Sequence, residues 1–370
     1  MKELALAFLR LGLTAFGGPA AHVAMMESEF VRRRAWLTRE QFLDLVGAAS
    51  LIPGPSSTEV ALYVGYRRAG WRGLLAAGAC FILPAALMVT VIAWAYVRFG
   101  RLPAAGGALY GIKAVIIAVV AQALFAFGRT ALKSRWLVVL GAAAAVPFAM
   151  GVSPVLVLLG AGIVTAVVRR VRSPGERAFL VWPAALGASS IAASPTGLGK
   201  LFLVFVKIGA VVFGSGYVLL AFLRTDLVEH THWLTEPQLI DAVAVGQFTP
   251  GPVFTTATFI GYVVAGVPGA AVATIGIFLP SFVLVAASGP LIPRLRRSRV
   301  AGAFLDGVNS ASVALMAVVG VQLARAAIVD VTTALLAAGS LVALLRWRVS
   351  STWLVLAGGV VGAAAHWQAM

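Results

Sequence analysis

The sequence predicts an all-α polytopic membrane protein made of two homologous halves. These form an inverted repeat, each half with about five spans plus a re-entrant broken-helix hairpin at Pro-Gly-Pro. Three observations lead there. Of the 370 residues, 61% are hydrophobic and only 11% charged, against roughly 25% charged in ordinary soluble domains. The chain repeats itself at a shift of about 197 residues. Pro53-Gly54-Pro55 interrupts an apolar stretch, and Pro250-Gly251-Pro252 interrupts the matching one. Proline lacks an N–H and pushes its predecessor out of the α region, so each motif joins two short helices rather than continuing one.

In order along the chain, the apolar run after Lys2 has the look of a signal peptide. Arg10 interrupts it, however, and a copy of it occurs deep inside the chain at 201–222, so it reads as a retained span. The repeat pairs Arg10 with Lys207, Phe16-Gly17 with Phe213-Gly214, Trp36-Leu37-Thr38 with Trp233-Leu234-Thr235, and Asp44 with Asp241. One deletion after the prolines changes the shift to 196, pairing Tyr66 with Tyr262, Gly70 with Gly266, Gly73 with Gly269 and Pro84 with Pro280. This gives a first membrane domain at 1–172, a linker at 173–199 and a second domain at 200–370. The expected spans are 4–24, 73–97, 105–128, 136–150 and 152–168, then 200–222, 270–291, 301–324, 331–345 and 352–368.

Charge sets the orientation. The net charge of +16 comes from arginines clustered between spans, the pattern of the positive-inside rule. No interleaving of aromatic and basic residues points to nucleic acid. Arg32, Arg33, Arg34 and Arg39 precede the first Pro-Gly-Pro pair, and Arg67, Arg68 and Arg72 follow it, so both flanks belong inside. That is a hairpin that dips in and returns. The matching flanks of the second half carry Asp226, Glu229 and Glu236, or no charge at 262–269, and belong outside. Arg98 and Arg101 run against this trend. Five spans is an odd number, which inverts the second half and sets a binding site at the repeat interface. The lone Cys80 permits no internal disulfide.

A helix that restarts after a break offers free N–H groups and partial positive charge, which suits an anion. Ser56, Ser57 and Thr58 follow the first break, with Gly54 in it; Thr255 and Thr256 follow the second, with Gly251 in it. Arg10 and Lys207 read as site cations or as anchors snorkelling to an interface. Gly17, Gly18, Gly214 and Ser215 read as breaks that admit ligand, or as small residues for helix packing. Asp44 and Asp241 read as helix-start carboxylates or coupling groups, and Lys113 as a third intramembrane cation. Glu59, whose counterpart is Thr256, reads as a proton-coupling carboxyl or a helix-dipole partner. The four histidines show no metal-ligand spacing, and no nucleophile elbow or P-loop is present.

Phe16-Gly-Gly-Pro-Ala-Ala-His22, Glu29-Phe-Val-Arg-Arg33, Trp36-Leu37, Ala49-Ser-Leu-Ile-Pro-Gly-Pro55, Gly65-Tyr-Arg-Arg-Ala-Gly-Trp71, Phe81-Ile-Leu-Pro84, Phe213-Gly-Ser-Gly216 and Gln247-Phe-Thr-Pro-Gly-Pro252 together resemble the chromate ion transporter family, in its long two-domain form. The resemblance covers nearly the whole chain. It implies a bacterial cytoplasmic-membrane protein that exports chromate and confers resistance, with sulfate as a competing oxyanion. The family pattern has Asn where Ser56 stands. No cofactor is expected; the expected partners are chromate, the lipid bilayer and a second copy in a homodimer. The rival classes are a sulfate uptake system or anion channel of the same fold, and a membrane-embedded enzyme.

Overall fold

The computed structural model describes residues 1–16, 18–100, 103–172, 197–213, 218–288, 298–347 and 349–368. Residues 173–196, most of the expected linker, lie outside the described residues. The first half contains α1 (Lys2–Thr14), α2 (Gly18–Glu27), α3 (Arg39–Ala49), α4 (Ser56–Phe99), α5 (Pro103–Ala131), α6 (Arg135–Ala149) and α7 (Pro154–Arg172). The second contains α8 (Leu198–Val211), α9 (Leu219–Leu223), α10 (Glu236–Phe248), α11 (Thr256–Ser288), α12 (Arg299–Ala327), α13 (Val331–Arg346) and α14 (Ser351–Gln368). Among the described residues there is no strand.

The repeated motifs explain the repeated elements. In both copies of Trp-Leu-Thr the threonine caps a helix. Thr38 accepts from the Gln41 N–H and Gln41 reciprocates at the start of α3; Thr235 and Gln238 do the same at α10. Ahead of each cap lies a π-helical turn, Ser28–Arg33 and Arg224–His230. In the first turn, burial pushes the Glu29 carboxyl up, but hydrogen bonds from Arg34 and Arg33 outweigh it and hold Glu29 below the usual carboxylate range.

α4 is not one rod. Ala69 (φ −149°, ψ 29°) and Gly70 (φ 59°, ψ −149°) leave helical geometry, and the chain doubles back there into arms 56–68 and 71–99. On a straight helix Gly65 and Ala77 would stand about 18 Å apart. Instead a side chain added at Gly65 would strike both Ala77 and the Gly73 carbonyl. α11 repeats the device at Ala265 and Gly266 (φ 63°), with Gly261 against Gly269 and Ala273. The positive φ is the conformation that only glycine adopts without strain, which accounts for both glycines.

Two expected spans are interrupted. The 4–24 stretch breaks between Thr14 and Gly18, where Gly18 (φ 80°) and Pro19 restart the helix. The 200–222 stretch breaks between Val211 and Leu219. Helices 56–99, 106–131, 253–288 and 300–327 are long and apolar enough to cross a membrane, and 135–149, 331–346 and 351–365 are shorter apolar helices.

The halves exchange elements. α5 packs on α13 and α14 of the other half, while α12, its counterpart, packs on α6 and α7. α1 lies along α4, α8 along α11, and α4 crosses α11. The outer faces expose large apolar side chains, among them Leu83, Leu87, Val91, Ile275, Val283, Leu335 and Val342. A water-facing surface rarely carries so many.

Candidate functional site

The breaks of one half meet those of the other. The Gly54 N–H donates to the Val212 carbonyl at 2.7 Å, and the Gly251 N–H donates to the Ala15 carbonyl at 2.8 Å. Ala15 and Val212 are the residues on which α1 and α8 end. Each Pro-Gly-Pro apex is therefore pinned to the break in the first helix of the opposite half, and the starts of α2, α4 and α11 gather at this crossing. Backbone approaches closely here. A side chain at Gly251 would strike Ala85, and one at Gly54 would strike the Glu59 carboxylate and the Ser281 hydroxyl.

Several expectations change in detail. The cap of α4 is the rigid, extended Pro55 (φ −74°, ψ 98°) and carries no side-chain bond, and Ser56 is the first helical residue. The amides of Gly54 and Gly251 donate to carbonyls and are not free for a ligand. Ser57 Oγ lies 3.3 Å from His22 Nδ1 on α2. Thr255 and Thr256 donate to the carbonyls of Pro252 and Val253, both at 2.8 Å, which leaves their oxygens as acceptors. Thr58 Oγ1 is buried without a hydrogen-bond partner. Gly18 is buried at the start of α2. Gly17, Gly214 and Ser215 lie outside the described residues.

The charged candidates separate. Arg10 is exposed on α1. Lys207 Nζ sits 2.6 Å from Asp226 Oδ1, and His230 Nδ1 is 3.7 Å from the same oxygen. Asp241 and Lys113 come together: Lys113 Nζ is 3.4 Å from Asp241 Oδ2, which also accepts from the Tyr96 hydroxyl at 2.9 Å. Asp241 is 2% exposed, whereas its counterpart Asp44 is exposed on α3. Glu59 is wholly buried, and neither of its carboxylate oxygens has a hydrogen-bond partner.

His22, Asp226, Tyr96 and Ser281 were not anticipated. His22 carried no metal-like spacing, and its contact with Ser57 spans 35 residues. For Asp226 a signal existed: the shift that pairs Arg10 with Lys207 also pairs Glu29 with Asp226. The acid answers Lys207 in one half and Arg33 and Arg34 in the other. Among the described residues no group of three or more His, Cys, Asp or Glu side chains could hold a metal ion.

The family model described as chromate transporter matches residues 2–166 and again 199–363. A chromate transport protein of Cupriavidus metallidurans is 35% identical, covering 99% of this chain and 93% of the relative. A probable chromate transport protein of Synechococcus elongatus is 32% identical, covering 94% and 90%. A chromate transport protein of Pseudomonas aeruginosa is 31% identical, covering 96% and 90%. No solved structure matches this chain. The chain belongs to the chromate transporter family, and with its apolar helices it is a multi-pass membrane protein.

Proposed function

We propose that this member of the chromate transporter family is a secondary transporter that exports chromate across a bacterial cytoplasmic membrane and so confers resistance. The anion would bind at the crossing of the two Pro-Gly-Pro apexes. One observation carries the reading: the reciprocal bonds from Gly54 to Val212 and from Gly251 to Ala15 gather several helix starts at the interface of the halves. Each helix start contributes about half a positive charge at short range, so two nearly balance one unit of a tetrahedral dianion. Ser56, Ser57, Thr58, Thr255 and Thr256 line these starts, with Gly18 at the start of α2; Gly17, Gly214 and Ser215 join the proposed site on the sequence pattern alone. Lys207 and Arg10 supply further positive charge. Lys207 is bonded to Asp226 in this conformation, so its release on substrate entry is part of the cycle. Sulfate, of the same shape and charge, is the expected competitor.

The architecture proposed with this function is an inverted repeat with re-entrant pairs. α3 has 11 residues, the first arm of α4 runs 56–68, and α10 has 13. All fall short of the roughly 20 residues needed to span a bilayer. Arg68 and Arg34 both sit over the Trp36 ring, at 5.1 and 5.2 Å. That contact brings the far end of the arm back beside the start of α3. Radiolabelled chromate and sulfate flux in proteoliposomes of the full chain, under imposed pH and voltage gradients, tests the function. Saturable chromate flux that sulfate inhibits is expected, and liposomes no more permeable to chromate than empty ones would refute it.

A further inference from the structure

The pseudo-symmetry of the chain makes its asymmetries informative. Glu59 and three other buried polar residues, Ser281, Tyr63 and Ser288, fall in a file. Glu59 and Ser281 converge on Gly54. One turn along the same arm, at i+4 and so on the same helix face, stands Tyr63. Its hydroxyl lies 2.6 Å from Ser288 Oγ on α11. All four are buried, with Glu59 and Ser281 fully so and Ser288 only 6% exposed. Neither Glu59 nor Ser281 makes a hydrogen bond of ordinary geometry, and the Ser281 hydroxyl is the polar group that faces the carboxyl. At the related positions of the repeat stand Thr256, Ala85, Phe259 and Ile92. None of these can hold or pass a proton in the same way, because the carboxyl is gone and three of the four are apolar. Packing alone is served equally well by the apolar set.

From this file we infer that Glu59, Ser281, Tyr63 and Ser288 form a proton path present in one half-repeat only, leading from the anion crossing to the end of the arm that bears Arg67 and Arg68. The inference rests on the proposed transport of an anion through the crossing. An ionised carboxylate buried without a counter-charge costs several kcal/mol. Facing the first arm of α4, His22 on α2 is engaged with Ser57. Arg10 on α1 is exposed, as are Arg39, Glu40 and Asp44 on α3. On α10, Asp241 is bound to Lys113 and Tyr96. α11 contributes no charged residue to the file. No cation pairs with Glu59 among the described residues, so the pocket accommodates the proton-bearing carboxyl. When the dianion leaves, the carboxyl O–H proton passes by way of the Ser281 hydroxyl and an intervening water to the Tyr63 oxygen, the Ser281 hydroxyl giving up its own proton as it takes that of Glu59. Tyr63 releases its own hydroxyl proton to Ser288, whose hydroxyl donates to the Val285 carbonyl at 3.1 Å in this conformation and must turn from it to pass a proton to water at the end of α11. Each hydroxyl ends as it began, Glu59 is left ionised and regains a proton from water on the crossing side as the next dianion enters, and nothing is oxidised or reduced.

The test uses proteoliposomes of the full chain carrying a lumenal pH dye, with chromate flux and lumenal pH recorded together for wild type, Glu59→Gln, Tyr63→Phe and Ser288→Ala. Wild type should move protons with chromate. Glu59→Gln should lose that movement. Tyr63→Phe and Ser288→Ala should lose the acceleration given by a pH gradient and regain it when imidazole is added as a small proton carrier, a rescue that a packing defect would not show. Monodispersity in detergent guards against misfolding, and either hydroxyl variant suffices if the other fails to fold. Wild-type coupling in a folded Tyr63→Phe or Ser288→Ala variant overturns the path. Chromate flux in wild type that follows a sodium gradient and moves no protons overturns it as well. Absence of any chromate flux in wild type would instead strike at the transport reading itself.

Discussion

Lys207 and Asp226 show how one residue's setting decides what its removal would mean. Both side chains are mostly buried, at 23% and 10% exposed. Deleting one partner of such a pair leaves an uncompensated charge, at a cost of about 3–5 kcal/mol. Lys207→Ala is therefore expected to lower the yield of folded protein as well as transport. The double variant Lys207→Met with Asp226→Leu should regain the yield but not chromate flux. Detergent size-exclusion profiles beside flux assays separate the two effects, and full flux in the double variant would reduce Lys207 to a structural role. Gly54 is a sharper case. Its φ of 138° strains any other residue, and a methyl group there would force the Glu59 and Ser281 oxygens out of their places. Gly54→Ala should abolish transport, while Gly70→Ala, at a φ of 59° but with open space around it, should cost only backbone strain and leave measurable flux. The residue identities at the apexes were legible in the sequence because proline and glycine act locally. The partners of Lys207, Asp241 and Ser57 were not, since each contact closes over a distance set by the fold rather than by neighbouring residues.

At the scale of elements, the doubled-back helices α4 and α11 depend on two glycine faces. A side chain at Gly65 would overlap the Gly73 carbonyl, and one at Gly261 the Gly269 carbonyl. Backbone cannot yield as a flexible side chain can, so Gly65→Val and Gly261→Val should each force the arms apart. Small residues at such a crossing are what close packing of membrane helices requires. Loss of folded protein, read as aggregation on heating in detergent, is expected for both variants, with Gly160→Val, which meets open space, as the unaffected control. Wild-type melting of Gly65→Val would contradict the tight return. The sequence pairs Gly70 with Gly266 and Gly73 with Gly269 through the repeat, and the structure assigns Gly70 and Gly266 to the turn and Gly73 and Gly269 to the packing. What it could not mark was that α5 and α12 each pack on the last two helices of the opposite half. All these helices are apolar on several faces, and hydrophobic periodicity does not say which neighbour a face will choose.

For the whole molecule, the arrangement turns on which end of each half faces the cytoplasm. The Arg34, Trp36 and Arg68 stack joins the start of α3 to the end of the first α4 arm, and a cavity of about 200 Å³ there is lined by Trp36, Leu37, Gln41, Val64, Arg67 and Arg68. In the second half the related tryptophan, Trp233, lies under Lys200 at 5.7 Å, and the nearby π-helical turn carries Asp226 and Glu229. Arginine-rich ends stay on the cytoplasmic side, because moving a cation through the bilayer is costly while acidic residues exert little bias. An inverted pair of halves satisfies this rule, since it sends the basic end of one half inward and the acidic end of the other outward. A parallel pair would set both ends on one face despite their opposite charge. With Cys80 replaced by serine, single cysteines at Arg33 and Arg68 should react with a membrane-impermeant maleimide only when it is given to inside-out vesicles. Cysteines at His230 and Gly266 should react from the periplasmic side of intact cells. Labelling of Arg33 and Arg68 positions from opposite sides would refute the re-entrant hairpin, and labelling of all four from one side would make the halves parallel.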